Sequence, residues 1–407
     1  MQRDILIIGC GIFGAAIAWA LGRKGLGQRV LIVDRQPPAS AATSRAAGLV
    51  TQVRSDPALQ ALAGETLAAI ALLQSDFGED VGCHRVGALH LGPLAQQAAL
   101  ARLLADCTAA GIRGRWQDKA MVLTQSPWLN SEAFDVAAFF PDECFVDPYL
   151  LSSAYLRGAQ QMGAKLQLGT NVAHIAHRAG AVTGVQLVDG TVLPARFVVN
   201  AAGAWSNLLS APLGLPLPMA PVRSQYWITE RAPEFSPGGP IVFMTDIRAY
   251  ARPEVGALLF GARERAPAVA DPRELPENLQ GFVFDAEDPD GWGNLADAFE
   301  PLSRYFPAIE RLGIAHYITG PSNYTPDGQP IVGASSTMTG LLVASGCNGS
   351  GITYSAGVGR LIAELICGDA PFVDTTRLDP CRMRQIDPFA SVFLQACAQA
   401  RATKSTG

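Results

Sequence analysis

Ile5-Leu6-Ile7-Ile8-Gly9-Cys10-Gly11-Ile12-Phe13-Gly14 is the stretch on which the fold turns. Its first four residues form a continuous apolar run rich in β-branched side chains, the pattern of a parallel strand buried on both faces. The last six match G-x-G-x-x-G. A helical pattern follows, with Ile17 and Leu21 on its apolar face, until Gly25 and Gly27. Arg29 to Val33 predicts a second strand, closed by Asp34. Each piece has a role in a dinucleotide site: Gly9 permits a tight turn, Gly11 lets the backbone approach a pyrophosphate, and Gly14 lets helix and strand pack closely. The helix amino terminus offers N–H groups and a partial positive charge to phosphate. Asp34, twenty residues beyond Gly14, is spaced to accept hydrogen bonds from ribose hydroxyls. Residues 5–22 are also 18 uncharged residues in a row, long enough to raise a membrane span. Asp4 and the three glycines favour a strand entering a glycine turn.

Composition bounds the rest. At roughly 150 residues per domain, 407 residues imply two or three domains. A chain 49% hydrophobic and 16% charged is not disordered. A net charge of −5 leaves no basic face for nucleic acid. Eight cysteines without a CxxC pair are not a disulfide framework and fit a reducing, cytoplasmic setting. Five histidines show no ligand spacing, so no metal site is expected.

Five further segments carry a family likeness. They are Ala42-Thr43-Ser44-Arg45-Ala46-Ala47-Gly48-Leu49-Val50-Thr51-Gln52, Val146-Asp147-Pro148-Tyr149-Leu150, Asn200-Ala201-Ala202-Gly203-Ala204-Trp205-Ser206, Gly320-Pro321-Ser322-Asn323-Tyr324-Thr325-Pro326-Asp327-Gly328 and Gly346-Cys347-Asn348-Gly349-Ser350-Gly351-Ile352-Thr353. On these, the chain resembles the FAD-dependent amino-acid and amine oxidoreductases related to D-amino-acid oxidase and glycine oxidase, especially the flavin portion of dimethylglycine and sarcosine dehydrogenases. The resemblance implies FAD, with contacts from Gly9, Gly11, Ile12, Phe13, Gly14, Asp34 and Arg35 at the opening motif. It adds Ser44, Arg45, Ala46, Gly48 and Leu49 from the next loop, then Val172, Ala202, Gly203, Trp205 and Asp327. Asn348, Gly349, Ser350, Gly351, Ile352 and Thr353 complete the set. Small residues at 201–204 let the chain pass close to a dinucleotide. The late glycine turn leads into a helix expected over Ser355 to Cys367, and aims N–H groups at electron-rich flavin oxygen.

The departures matter as much. Arg45 stands where the dehydrogenases carry a flavin-linking histidine, and Gly320 falls near the linking cysteine of sarcosine oxidases, so the FAD is expected to be non-covalent. Ser224 replaces a histidine often placed at the amine. Ser322 replaces the arginine that binds substrate carboxylate in glycine oxidase. Arg223 is then the first candidate for that contact, with Arg54 and Arg248 in reserve. Alternation in Arg248-Ala249-Tyr250-Ala251-Arg252 predicts one strand face bearing 248, 250 and 252. The resemblance points Tyr250 at the flavin.

The expected fold is therefore α/β, a Rossmann-type FAD-binding domain with an inserted antiparallel-sheet α+β substrate domain. The first is drawn from 1–85, 145–220 and 320–372, the second from 86–144 and 221–319. Short strands are expected at 166–172, 182–187, 191–193 and 197–199. The tail, 373–407, carries no motif and is expected to cap the flavin domain and fray. The resemblance implies oxidation of the C–N bond of an amino acid or a secondary or tertiary amine, with hydride passing to flavin and an imine hydrolysing in water. Oxygen, a quinone or a partner protein would accept the electrons, and a homo- or hetero-oligomer is compatible with the chain. An FAD-bearing relay or non-catalytic subunit is the second reading, and an NAD-dependent dehydrogenase, which lacks the late glycine turn, the third.

Overall fold

The computed structural model describes residues 3–383 and 385–404. At its centre the strand Ile5–Ile8 runs parallel to Val30–Val33 on one side and Phe197–Asn200 on the other. Lys165–Gln167 extends the sheet beyond Val30–Val33, and Leu341–Ser345 extends it beyond Phe197–Asn200. Antiparallel Ile331–Ala334 closes that edge, giving six strands. The continuous apolar run at 5–8 is thereby explained, because each face of this strand meets a different layer. Ile5 and Ile7 pack among the helices Ile12–Arg23, Pro57–Asp76, Pro148–Gln161 and Gly351–Cys367. Leu6 and Ile8 face a three-stranded meander made of Val172–Arg178, Ala181–Leu187 and Val192–Pro194. Residues 5–22 are thus a sheet strand and a core helix.

Local signals fix the helix starts. Asp147 accepts hydrogen bonds from the N–H groups of Tyr149 and Leu150 at 2.8 and 2.9 Å, and Asp56 accepts that of Ala58 at 2.9 Å. In both, proline at the first helical position supplies a preset φ and lacks an N–H that would go unpaired.

The second sheet has eight strands, in the order Ile314–Tyr324, Ala220–Thr229, Ala257–Ala262, Ala249–Glu254, Ile241–Met244, Ala88–Gly92, Val136–Phe140 and Arg115–Trp116. It is antiparallel except where Ile241–Met244 lies parallel to Ala88–Gly92. Its strands come from the 86–144 and 221–319 segments, and the two longest cross those bounds, starting at Ala220 and ending at Tyr324.

Four expectations need correction. The strand expected over 166–172 is two strands in different sheets, separated by a turn at Gly169 with φ +65°. The late helix begins at Gly351, four residues before Ser355. Arg248 precedes the strand Ala249–Glu254 and has φ +52°, so it does not share a face with Tyr250 and Arg252. The tail does not fray by 403: Ser391–Thr403 is a helix whose Leu394, Cys397 and Ala398 pack on Ala220, Val222 and Tyr324 of the second sheet.

Candidate active site

A long cleft opens at the carboxyl ends of the central parallel strands, where ligands bind open α/β sheets. Its empty volume is ≈ 1330 Å³, including solvent at its mouth. Gly9 has φ +103°, and a Cβ there would lie 2.4 Å from the Ala201 carbonyl oxygen. A Cβ on Gly14 would sit 1.9 Å from the oxygen of Gly9, so helix and turn touch backbone to backbone. Gly11 is different. Its nearest neighbour would be the Thr43 hydroxyl at 3.3 Å, and it borders open cleft. Thr43 also accepts the Ile12 N–H at 3.0 Å, holding the first helical turn. Asp34 accepts the Cys10 N–H at 2.7 Å and the Gln36 N–H at 2.9 Å. Burial raises its carboxyl pKa above the ordinary value, against these bonds. Burial also pushes the Cys10 thiol up to about 12, so it stays protonated and unreactive.

Farther along the cleft, Arg35 stacks over the Trp205 ring at 4.5 Å. Val172, Ala202 and Gly203 line the same wall. Glu277, Asn278 and Leu279 line it too, although their segment carries no cofactor motif. Trp205 Nε1 and Asn323 Oδ1 are buried without a hydrogen-bond partner. A cleft with a glycine floor, a helix amino terminus and orphaned polar atoms fits an occupant that is itself rich in donors and acceptors.

A second cavity, ≈ 1020 Å³, joins the first through shared residues Ile12, Thr43, Ser322, Cys347 and Gly351. One wall is the 45–49 loop, including Arg45, Ala46, Gly48 and Leu49, and the turn from Gly349 to Thr353. The other is the second sheet. Ser224 and Tyr226 line it from one strand, Gly320, Ser322 and Tyr324 from its antiparallel neighbour, where Ser224 pairs with Gly320. Ser224 and Tyr324 hydroxyls lie 3.4 Å apart. Tyr250 lies over Gly261, its directly paired residue, where a Cβ would meet the ring at 2.5 Å. Burial raises the pKa of its hydroxyl. Arg252, from the same strand, bonds the Ala47 carbonyl at 2.9 Å and so ties the sheet to the cofactor loop.

The family model for FAD dependent oxidoreductases matches residues 4–365. The chain belongs to that family. It is 26% identical to mitochondrial dimethylglycine dehydrogenase of Mus musculus over 94% of this chain, but spans only 44% of that protein's length. It is also 26% identical to hydrogen cyanide synthase subunit HcnC of Pseudomonas aeruginosa, covering 97% of this chain and 99% of that one. Among solved structures, glycine oxidase from Geobacillus kaustophilus superposes with a TM-score of 0.77 at 26% identity, over 95% and 100% of the two chains. FAD is the cofactor of this oxidoreductase, and the two joined cavities offer it a continuous site.

Several residues singled out in the sequence lie elsewhere. Arg223 does not line the cavity. It is 5% exposed and its Nε donates to Glu264 Oε1 at 2.9 Å, forming a buried ion pair. Arg248 is exposed and bonds the Ala402 carbonyl at 2.9 Å. Asp327 is paired with Arg382 at 2.8 Å, tying the tail to its loop. Ser44 is exposed and bonds only within its own turn, to the Ala41 carbonyl. Asn348, with φ +52°, holds the glycine turn from inside by accepting the Thr325 N–H at 2.9 Å. Arg54 does line the cavity, with bonds to the Tyr354 and Thr51 hydroxyls at 3.1 and 2.8 Å.

Others were not singled out as site residues in the sequence. Tyr226 and Tyr324 could have been reached by alternation from Ser224 and Ser322, whereas Thr43 stands in the turn Thr43–Arg45, where no alternation applies. Arg263 and Arg401 also line the cavity. Arg263 sits one residue past the strand Ala257–Ala262, and Arg401 comes from the tail helix, with no local signal to announce it.

Proposed function

We propose that this oxidoreductase oxidises the C–N bond of an amine or amino acid to an imine, the electron pair leaving as hydride from the carbon beside the nitrogen. The observation that supports this reading is a cavity lined by arginines and tyrosines that opens directly into the dinucleotide cleft. FAD, when bound, supplies the electron acceptor. The chain does the rest. Tyr250 and Tyr226 offer hydroxyls on the sheet wall, with pKa values raised by burial so that they stay neutral donors. Arginines offer carboxylate contacts, and the sheet excludes water and fixes orientation. The amino terminus of Gly351–Cys367 turns its N–H groups toward the shared wall, where negative charge is stabilised. Arg45 and Gly320, in place of known attachment residues, fit a non-covalent cofactor. Oxygen, a quinone or a partner protein serves as final acceptor, and eight unpaired thiols suit a cytoplasmic setting.

The test is anaerobic bleaching of the purified yellow protein by a panel of primary, secondary and tertiary amines and their carboxylated forms. Bleaching by an amine supports the reading, and an unresponsive flavin across the panel removes it. The likeness to a synthase subunit favours a second reading, a chain that works only within a hetero-oligomer. That reading requires the isolated chain to stay yellow and a partner to restore bleaching.

A further inference from the structure

Two of the free cysteines lie side by side on neighbouring segments. His84 and Phe145 form an antiparallel bridge, the His84 N–H bonded to the Phe145 carbonyl at 2.9 Å and the Phe145 N–H to the His84 carbonyl at 3.2 Å. Their rings stack at 4.6 Å. Neighbours along extended backbone point the opposite way, so Cys83, Arg85 and Cys144 share the other face. Arg85 is directly across from Cys144, and Cys83 is its diagonal neighbour. The two thiols are joined by a hydrogen bond.

That bond divides the pair. Cys83 accepts it as a thiolate, and with the Arg85 charge nearby this lowers the Cys83 thiol to about 7, against the effect of burial. The same bond, burial and the Cys83 charge hold the proton on Cys144 well above the ordinary thiol range. Other thiols lean toward inertness. Burial pushes Cys10 and Cys397 up to about 12 and Cys107 up to about 11, and raises exposed Cys367 as well. Access divides the pair in the same sense: Cys83 is half-buried, and Cys144 is fully enclosed. An accessible thiolate backed by a second thiol is the arrangement of an attacking and a resolving cysteine. On its other edge the strand Cys144–Phe145 pairs with Leu49–Val50, with Val50 opposite Cys144. Leu49 lines the second cavity, so the thiols lie one strand behind the cofactor loop.

We propose that Cys83 and Cys144 are a peroxide-sensitive thiol pair that closes to a disulfide behind the cofactor loop. The Cys83 thiolate attacks one oxygen of hydrogen peroxide and breaks the O–O bond, leaving a sulfenic acid, and the departing hydroxide takes a proton from solvent to become water. The Cys144 sulfur then attacks the Cys83 sulfur, the S–O bond breaks, and the Cys144 proton leaves with the hydroxyl as a second water. The two thiols together lose two electrons and the peroxide gains them. Thiols already in hydrogen-bond contact need only a short approach to reach the disulfide length of roughly 2 Å. The pair stands apart from the amine reading and holds whichever amine the flavin oxidises.

The FAD-loaded protein, freed of reductant and treated with stoichiometric hydrogen peroxide, is alkylated, digested without reduction and mapped by mass spectrometry. The expected product is a peptide linking Cys83 to Cys144, lighter by two hydrogens than the separate pieces and restored by dithiothreitol. Both thiols still free, or either joined to a different cysteine or a second chain, overturns the pair. Cys144→Ser should leave Cys83 as a sulfenic acid that dimedone traps, with no disulfide, and an adduct carried mainly by another cysteine overturns the roles. If that variant does not fold, brief iodoacetamide labelling of the untreated wild type at neutral pH decides them. Cys83 should react several-fold faster than exposed Cys367, and the reverse order overturns Cys83 as the attacking thiol.

Discussion

The two halves of the site are built from opposite materials. The dinucleotide end is mostly backbone: Gly9 and Gly14 touch neighbouring carbonyls, and Gly11 borders open space. The substrate end is mostly side chain. Tyr226, Tyr250, Arg54, Arg263 and Arg401 reach it from five segments spread over the sequence. A backbone site tolerates almost no change at its contacts, because a Cβ cannot be moved aside. A side-chain site can be altered one group at a time while the cofactor stays, and this is how one fold serves many substrates.

The largest effect should come from Gly14→Val, whose Cβ meets the Gly9 oxygen at 1.9 Å. Soluble protein should be lost or its melting temperature should collapse. Folded, yellow protein would break the contrast at its strongest point. Gly11→Val should separate folding from cofactor binding, since only the Thr43 hydroxyl is near. The variant should fold yet purify with a flavin-to-protein ratio near zero, read by absorbance.

Arg223→Met comes next. It leaves Glu264 buried without its partner, and breaking such a pair costs about 3–5 kcal/mol. Denaturant unfolding should register that loss, while the concentration of amine needed to bleach the flavin changes little. A large affinity loss with normal stability would return Arg223 to the substrate side.

Glu143 tests the seam between the halves. It is fully buried, accepts the Gln52 N–H at 2.9 Å, and burial pushes its carboxyl up to about 8. Between the unfolded value of 4.5 and about 8 the folded state holds a proton that the unfolded chain has lost, so stability falls as pH rises. His90, buried with its pKa lowered to about 3, acts oppositely, losing stability as pH falls below 6.5. From about 6.5 to 8 Glu143 adds a falling slope, opposed by rising ones from Cys83, whose thiol is lowered to about 7 by the Cys144 hydrogen bond, and from Lys404, whose ammonium is lowered by burial. Glu143→Gln should remove the falling slope, and be more stable at pH 8 by on the order of a few kcal/mol. Parallel curves for both proteins would remove the argument. The smallest effect belongs to Tyr250→Phe, which removes one neutral hydrogen bond, about 0.5–1.5 kcal/mol. Anaerobic flavin reduction should slow by roughly that factor while FAD is retained.

Legibility in the sequence follows the same division. Residues 5 to 34 could be read because strand, turn, helix and second strand occur in order, each with its own local signal. The break at Gly169 was missed because Leu166, Leu168, Thr170 and Val172 keep a period of two straight across the glycine. Arg248 was misplaced because alternation says nothing of where a strand begins, and its positive φ lies just outside. Arg223 was misjudged because its partner, Glu264, lies on another segment and becomes its neighbour only once the sheet is formed. Arg401 had no signal at all. Its helix is unremarkable as sequence, and its meaning comes from resting on strands roughly eighty and one hundred and eighty residues earlier.

The order of synthesis adds a consequence to the position of that helix. Every strand of the central sheet is made once Ser345 has left the ribosome, and the last helix packed on it is complete at Cys367. Ser391–Thr403 emerges only afterwards. Domains fold as units during translation, earlier segments first. A nascent chain of this design can therefore close around its flavin before Arg401 exists. The glycine floor of the cleft comes first in the life of each molecule, and the Arg401 side of the second cavity follows it.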